Sequence, residues 1–590
     1  MLDVMNLLFS QEFLFRALIV GVLISLCTAL LGVSLVLKRF SMIGDGLSHV
    51  AFGAMAIATA ASIAPLYFAL PIVVIAAFLL LRMSESGKIK GDAAIALIST
   101  GALAVGVMAT SMTTGMNVDI YNYMFGSILT MSESDVVISS VVSVVIIALF
   151  ILFYHEIFAV TFDESFAKAT GTKVSVYNML IAALTAVTIV IGMRMMGALL
   201  ISSLIIFPTV TSMRICKSFK RVVISSVIVS IFCFVSGLIL SVKVEAPTGA
   251  SVVIMNMFML LVFTLIRVIL QIPAKNKLHS FKKLLIAIVC VVSASVYCAA
   301  MFSGSFVAYE KEKTSVVATT FAPYDFARQI TGDCADVEML LSPGGESHTY
   351  EPTPGDIMKI KECDVFVYGG GESEAWVETI LDSIDSEVRL VKMMDVVELY
   401  EEETDDESHN HGHEHEYDEH VWTSPLNAIR ITEAVCEALC TADGENEMAY
   451  RRNTAEYINE LQLLDESFEE LMTLRERDCI IIGDRFPLRY FTERYSLDYF
   501  AAFPGCSAQV EANPVTISTL CDKIDKEGIP VVFKVDLSKG EVAETISEQT
   551  GAEVETLYSC HVITASDFEN GETYISLMKR NLEALRKALI

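Results

Sequence analysis

Lys282-Lys-Leu-Leu-Ile-Ala-Ile-Val-Cys-Val-Val-Ser-Ala-Ser-Val-Tyr-Cys298-Ala-Ala-Met-Phe302 divides this chain into two kinds of sequence. Two lysines precede an apolar core and small residues follow it, the order of a signal peptide or a membrane anchor. Before this run the chain is membrane-type and slightly basic, with 12 acidic and 19 basic side chains in residues 1–302. After it the acids dominate, so the overall charge of −29 arises entirely in the C-terminal half. An acidic surface attracts cations and lacks the basic face that nucleic acid requires, so no nucleic-acid partner is expected. Val296-Tyr-Cys298-Ala lacks the leucine usual before a lipoprotein cysteine, and the run reads as an uncleaved anchor, with lipidation at Cys298 as the alternative.

Working towards the N-terminus, ten apolar runs lie at about 14–37, 44–61, 65–82, 93–112, 135–154, 178–191, 197–215, 222–242, 250–270 and 284–302. Most approach the roughly 20 residues that cross hydrocarbon. Basic clusters follow runs one, three, five, seven and nine, at Lys38/Arg39, Arg82 to Lys90, Lys168/Lys173, Arg214 to Arg221 and Arg267 to Lys283. The positive-inside bias places all five in the cytoplasm, which puts the N-terminus and everything after about residue 302 outside. Runs six and seven are separated only by Gly192-Met-Arg-Met-Met-Gly197, which predicts a tight hairpin.

Two stretches of this half carry chemistry. In Gly44-Asp45-Gly-Leu-Ser-His49, Asp45 and His49 are four apart and share a helix face. Ionisable groups inside a span usually line a polar path, whereas a capping role for Asp45 is the plain alternative. Phe162-Asp-Glu-Ser-Phe-Ala-Lys-Ala-Thr-Gly171 is a short amphipathic segment closed by glycine, suited to docking a partner. These stretches, with Gly197 to Pro208, resemble the permease subunits of the zinc and manganese family of ABC importers over about residues 10–272. The resemblance implies metal-pathway roles for Asp45 and His49, a coupling helix at 162–172 that contacts an ABC ATPase, and a permease homodimer in membrane lipid. No phosphate-cradling G-x-x-x-x-G-K-[ST] loop is present, so ATP hydrolysis is expected on a separate chain.

Towards the C-terminus, short apolar runs such as Val365-Phe-Val-Tyr, Ile480-Ile-Ile and Pro530-Val-Val-Phe alternate with helical stretches near 426–440 and 449–475. This alternation predicts an α/β domain with mainly parallel sheets. The expected organisation is therefore an all-α polytopic domain at 1–272, with about nine permease helices. A linker and tenth helix occupy 273–313, and a two-lobed α/β domain at 314–590 is joined by a long helix. Eight cysteines fall in the outer half without any CxxC pair, so no thiolate zinc site is expected, and their disulfide state stays open.

Five of the ten histidines crowd into His409-Asn-His411-Gly-His413-Glu-His415-Glu-Tyr-Asp-Glu-His420. Alternate imidazoles in a flexible acidic run can wrap one ion from several sides, while a purely solvated linker is the competing reading. The interior position and interleaved glutamates set it apart from a cloning tag, and H-E-x-x-H of a metalloprotease is absent. His348 in a Pro/Gly loop, His420, Asp484 at a strand end and His561 are further candidate ligands, which a doubly wound fold can bring together at the carboxyl ends of its strands.

The loop at His348, His420-Val-Trp-Thr-Ser-Pro425 and Thr573 to Asn581 resemble the metal-binding protein of the same importer family over roughly 314–590. That family holds its ion between two lobes with about four His, Asp or Glu ligands. The resemblance maps His348 and His420 onto the first two. Asp484, followed by Arg485, departs from the usual third position, and His561 is the nearest candidate for the fourth. Three histidines with one carboxylate suit Zn²⁺, whereas two carboxylates favour Mn²⁺. The implied protein is a non-enzymatic zinc importer component in the cell membrane, fusing permease and capture domain. A manganese or iron importer and a membrane-anchored metal sensor or buffer are the alternatives.

Overall fold

The computed structural model describes residues 8–9, 11–60, 63, 65–85, 91–111, 128–129, 131, 133–244, 246–271, 313–345, 350–383, 388–401, 417–503 and 514–590. The expected tenth span at 284–302, Cys298, His348 and the histidines 409, 411, 413 and 415 lie outside them. The chain forms two compact units, a helical one and an α/β one.

The helical unit comprises α1 (Glu12–Leu37), α2 (Ile43–Ala60), α3 (Pro65–Glu85), α4 (Gly91–Ser111), α5 (Glu133–Leu152), α6 (Tyr154–Phe162), α7 (Glu164–Ala169), α8 (Val174–Met213), α9 (Phe219–Val244) and α10 (Thr248–Gln271). Among the described residues, six helices are long and apolar enough to cross a membrane, and α4 adds a shorter apolar helix, making this a multi-pass membrane domain. The stretch expected as two spans, 178–191 and 197–215, is traced as one helical run of 40 residues broken at Gly197 (φ 77°, ψ 160°). That backbone conformation is open to glycine and closed to residues with a Cβ. The chain folds back there, because a Cβ on Gly192 would collide with the Ile201 side chain, nine residues further on. In a straight helix those positions would stand roughly 13 Å apart. The expected reversal is present, but its pivot is one residue and the first limb begins at Val174 rather than 178.

Lys38, beyond the end of α1, joins this bundle to α7 and the start of α8. Its ammonium donates to Glu164 at 2.7 Å and to the Asn178 amide oxygen, while the Asn178 amide donates to Glu164 at 3.2 Å. The helix α7 starts at Asp163, whose carboxylate accepts the Phe166 N–H, and the chain leaves it at Gly171 (φ 89°). Phe162 and Phe166 are left exposed.

The α/β unit holds two four-stranded parallel sheets. The first contains β1 (Thr314–Ala318), β2 (Ala335–Met339), β3 (Val365–Tyr368) and β4 (Arg389–Lys392), in the order β2-β1-β3-β4. The second contains β5 (Cys479–Ile482), β6 (Asp498–Ala501), β7 (Val531–Val535) and β8 (Glu553–Leu557), in the order β6-β5-β7-β8. β3 and β5 are buried along their whole length, which explains their unbroken apolar sequences. Between the sheets in sequence runs α11 (Glu447–Leu474), whose Tyr457, Leu461, Leu464, Phe468 and Leu471 enter a core shared with β1, β3, β5 and β7. The 3.6-residue spacing of these side chains is what commits the segment to a helix. In each sheet the strand order reverses beside its first strand, between β1 and β3 and between β5 and β7, which opens a crevice at the carboxyl ends. The described cysteines are free thiols, with Cys436 and Cys440 Sγ atoms 3.9 Å apart.

Candidate metal centre

His420 lies after β4, immediately before the 3₁₀ turn Val421–Thr423, and is fixed from its own neighbourhood. Asp418 Oδ1 accepts the His420 backbone N–H at 2.8 Å and lies 3.2 Å from the ring Nδ1. A carboxylate on one imidazole nitrogen is how metal-ligating histidines are oriented. Thr423 donates its hydroxyl to the His420 carbonyl at 2.8 Å, and the Asp418 carbonyl accepts from the Tyr490 hydroxyl at 2.9 Å.

His561 comes from the loop after β8. Its backbone carbonyl accepts the Phe321 N–H at 3.1 Å, and its own N–H donates to Ser559 Oγ at 3.2 Å. The Ser559 carbonyl in turn accepts the Trp422 indole N–H at 2.9 Å. The result is a small aromatic cage: the His420 and His561 rings meet edge to face at 5.2 Å, and Trp422 lies 5.0 Å from His561. Both histidines are nearly buried, at 1% and 5% exposure, so any ion between them would be largely stripped of water.

A third side chain joins them. Glu419, His420 and His561 offer ligand atoms that all lie within 4.8 Å of one another. Glu419 is held over the end of β3 by Ser373, whose N–H and hydroxyl donate to Oε2 at 3.1 and 2.7 Å. Behind it, Glu374 accepts the N–H groups of Gly369 and Gly370 at 2.6 and 3.1 Å. Burial pushes the Glu374 carboxyl up to about 7, those N–H groups opposing it and the Glu419 charge adding to it. Burial likewise pushes Asp536, just beyond β7, up to about 6, although it accepts the Ser559 N–H and lies within the field of His420.

Asp484 does not belong to that trio. It sits buried just beyond β5, where Oδ1 accepts the Arg485 N–H at 2.9 Å and Oδ2 accepts the Val535 N–H at 3.3 Å. It thereby ties the ends of β5 and β7 together. Cys560 is fully buried within the shared core, and burial drives its thiol well above the ordinary range, which makes it a structural thiol. Glu419 and Asp536 were not singled out from sequence. Glu419 was legible only as one more acid of an acidic run, and nothing about Asp536 marked it.

In the helical unit, Asp45 and His49 lie on α2 with Oδ2 and Nε2 3.8 Å apart, both partly exposed. Gly44 packs close to Ile205 and Ser202 of the second limb of α8. Buried hydroxyls of Ser34, Ser202 and Thr209 have no hydrogen-bond partner among the described residues.

The two halves match different families. Residues 316–588 match the zinc-uptake complex component A family, and residues 10–267 match the ABC 3 transport family. The high-affinity zinc uptake system protein ZnuA of Bacillus subtilis (strain 168) is 30% identical over 284 residues, spanning 47% of this chain and 88% of that protein. The chain belongs to the zinc-uptake family. It joins a domain of that family, at residues 316–588, to an ABC 3 transport family domain at residues 10–267. The zinc-binding lipoprotein AdcA of Streptococcus pneumoniae serotype 4 is 31% identical over 280 residues, which are 47% of this chain. The chain spans only 56% of the length of that relative. The crystal structure of the Zn(II)-bound ZnuA-like domain of Streptococcus pneumoniae AdcA aligns at TM-score 0.41 and 29% identity, covering 47% of this chain and 99% of that one.

Proposed function

We propose that this chain is the membrane and capture component of an ATP-driven zinc importer. The observation that carries the reading is the convergence of Glu419, His420 and His561 at the carboxyl ends of parallel strands, in a nearly dry pocket. Neutral imidazoles with a carboxylate are the donor set of zinc sites, and zinc-binding relatives support the same cargo. In this reading His348 is a further ligand, and His409, His411, His413 and His415 serve as auxiliary zinc-gathering side chains.

The domain after about residue 302 faces outside, takes Zn²⁺ from solution and passes it to Asp45 and His49, with the unpartnered hydroxyls of α1 and α8 extending a polar path. A separate ABC ATPase docks on the cytoplasmic face at 162–172, where Phe162 and Phe166 are exposed on a segment anchored through Glu164 to Lys38, and the permease acts as a homodimer. The test is ⁶⁵Zn accumulation in a strain lacking this gene. Uptake should fall, return with the parent chain, and fail to return with His420→Ala or His561→Ala. Equal accumulation in the deletion strain, with no Zn²⁺ bound by the purified chain, removes this function.

A further inference from the structure

We propose that Glu419, and not Asp484, supplies the carboxylate ligand of the cargo site. This rests on the zinc-capture reading above and names the ligand that completes it.

Three observations on Glu419 converge. Its Oε1 is buried and has no hydrogen-bond partner among the described residues, while Oε2 is clamped by both donors of Ser373. A buried carboxylate oxygen without a donor is unfavourable unless a cation meets it. The same carboxylate has an oxygen within 4.8 Å of a ring nitrogen of each histidine, a spacing one ion can bridge. Finally, Gly371 has no side chain at the point where the Glu419 chain crosses it, and a Cβ there would collide with the Glu419 side chain. The backbone is cut away to seat this glutamate.

Asp484 shows the opposite pattern. Each of its oxygens already accepts a backbone N–H, and the bond from Val535 connects the ends of β5 and β7. Its geometry is that of a brace, and Arg485 follows it directly.

The consequence reaches the choice of metal. A Glu419 ligand and a non-ligating Asp484 leave one carboxylate beside the imidazoles of His420 and His561, a nitrogen-rich set that favours Zn²⁺. Two ligating carboxylates would shift the balance towards Mn²⁺. Adjacent ligands at 419 and 420 also mean that one turn of backbone sets two bonds to the ion.

The test uses the purified full chain in detergent, with Zn²⁺ alone, Mn²⁺ alone and Co²⁺ alone as probes, each competed against a chromophoric chelator. Glu419→Gln should weaken the tightest Zn²⁺ site by at least about tenfold, Glu419→Asp should weaken it less, and Asp484→Asn should stay within about twofold of the parent. The visible Co²⁺ band should change in Glu419→Gln and persist in Asp484→Asn, a signature that a loss of stability alone does not produce. Parent-like Zn²⁺ affinity and Co²⁺ spectrum in Glu419→Gln, with binding lost in His420→Ala, overturn the Glu419 assignment and leave the site standing. Parent-like binding in both His420→Ala and His561→Ala removes the trio itself and the capture reading with it.

Discussion

Asp418 shows how little freedom the binding histidine has. One carboxylate oxygen engages both the backbone and the ring of His420, so a single side chain sets the position and the tautomer. Asp418→Ala should therefore weaken Zn²⁺ binding by roughly tenfold, with the fold retained; chelator competition and circular dichroism on the same sample check this. At this scale sequence pattern drew attention to His420 and His561, which the fold brings together, because imidazoles in polar loops are rare enough to notice. It was uninformative for Glu419, since an acid among acids carries no signal until Ser373 and Gly371 are seen around it. Asp484, a carboxylate at a strand end, reads from sequence as a candidate ligand, and in the fold each of its oxygens accepts a backbone N–H.

Among the elements, the break at Gly197 and the cap of α7 are the places where one residue decides a segment. Gly197→Ala forces a Cβ into a positive-φ conformation, costing on the order of 1–3 kcal/mol, and should lower the unfolding temperature of the detergent-solubilised chain. Asp163→Ala removes the cap of α7 and should cost about 1 kcal/mol locally, seen as faster amide exchange at Phe166. In the α/β unit, Asp325 accepts the Tyr574 N–H at 2.8 Å and pairs with Arg328 at 2.6 Å. Burial nevertheless raises its carboxyl above the ordinary value, against the pull of Arg328 and Tyr574. A raised acid favours the folded state most when protonated, so its contribution fades as pH rises through the folded-state value. The unfolding temperature of the parent, relative to Asp325→Asn, should accordingly fall as pH rises above the ordinary carboxylate range, and thermal melts over a pH series measure it. The spacing of apolar residues foretold Glu447–Leu474 as a helix to within a few residues, and apolar runs foretold β3, β5 and β7. The break at Gly197 was foretold as a turn between glycines, but only contacts across it fixed the pivot.

For the whole molecule, fusing capture and permease domains replaces a diffusional encounter by an effective concentration on the order of millimolar for a short flexible connection. Deleting residues 402–416, which carry the four clustered histidines, should slow growth under strong zinc chelation and leave the affinity of the Glu419–His420–His561 site unchanged; growth curves with and without chelator test the first part, and chelator competition the second. By itself the sequence determined that there are two units, one helical and apolar and the other α/β and acidic. Those properties follow from composition and periodicity, which are local and additive along the chain. Tertiary structure alone decided which carboxylate meets the histidines. Residues 373, 419 and 561 come together only because three separate chain segments end on the same side of the parallel sheets, and no local pattern encodes that meeting.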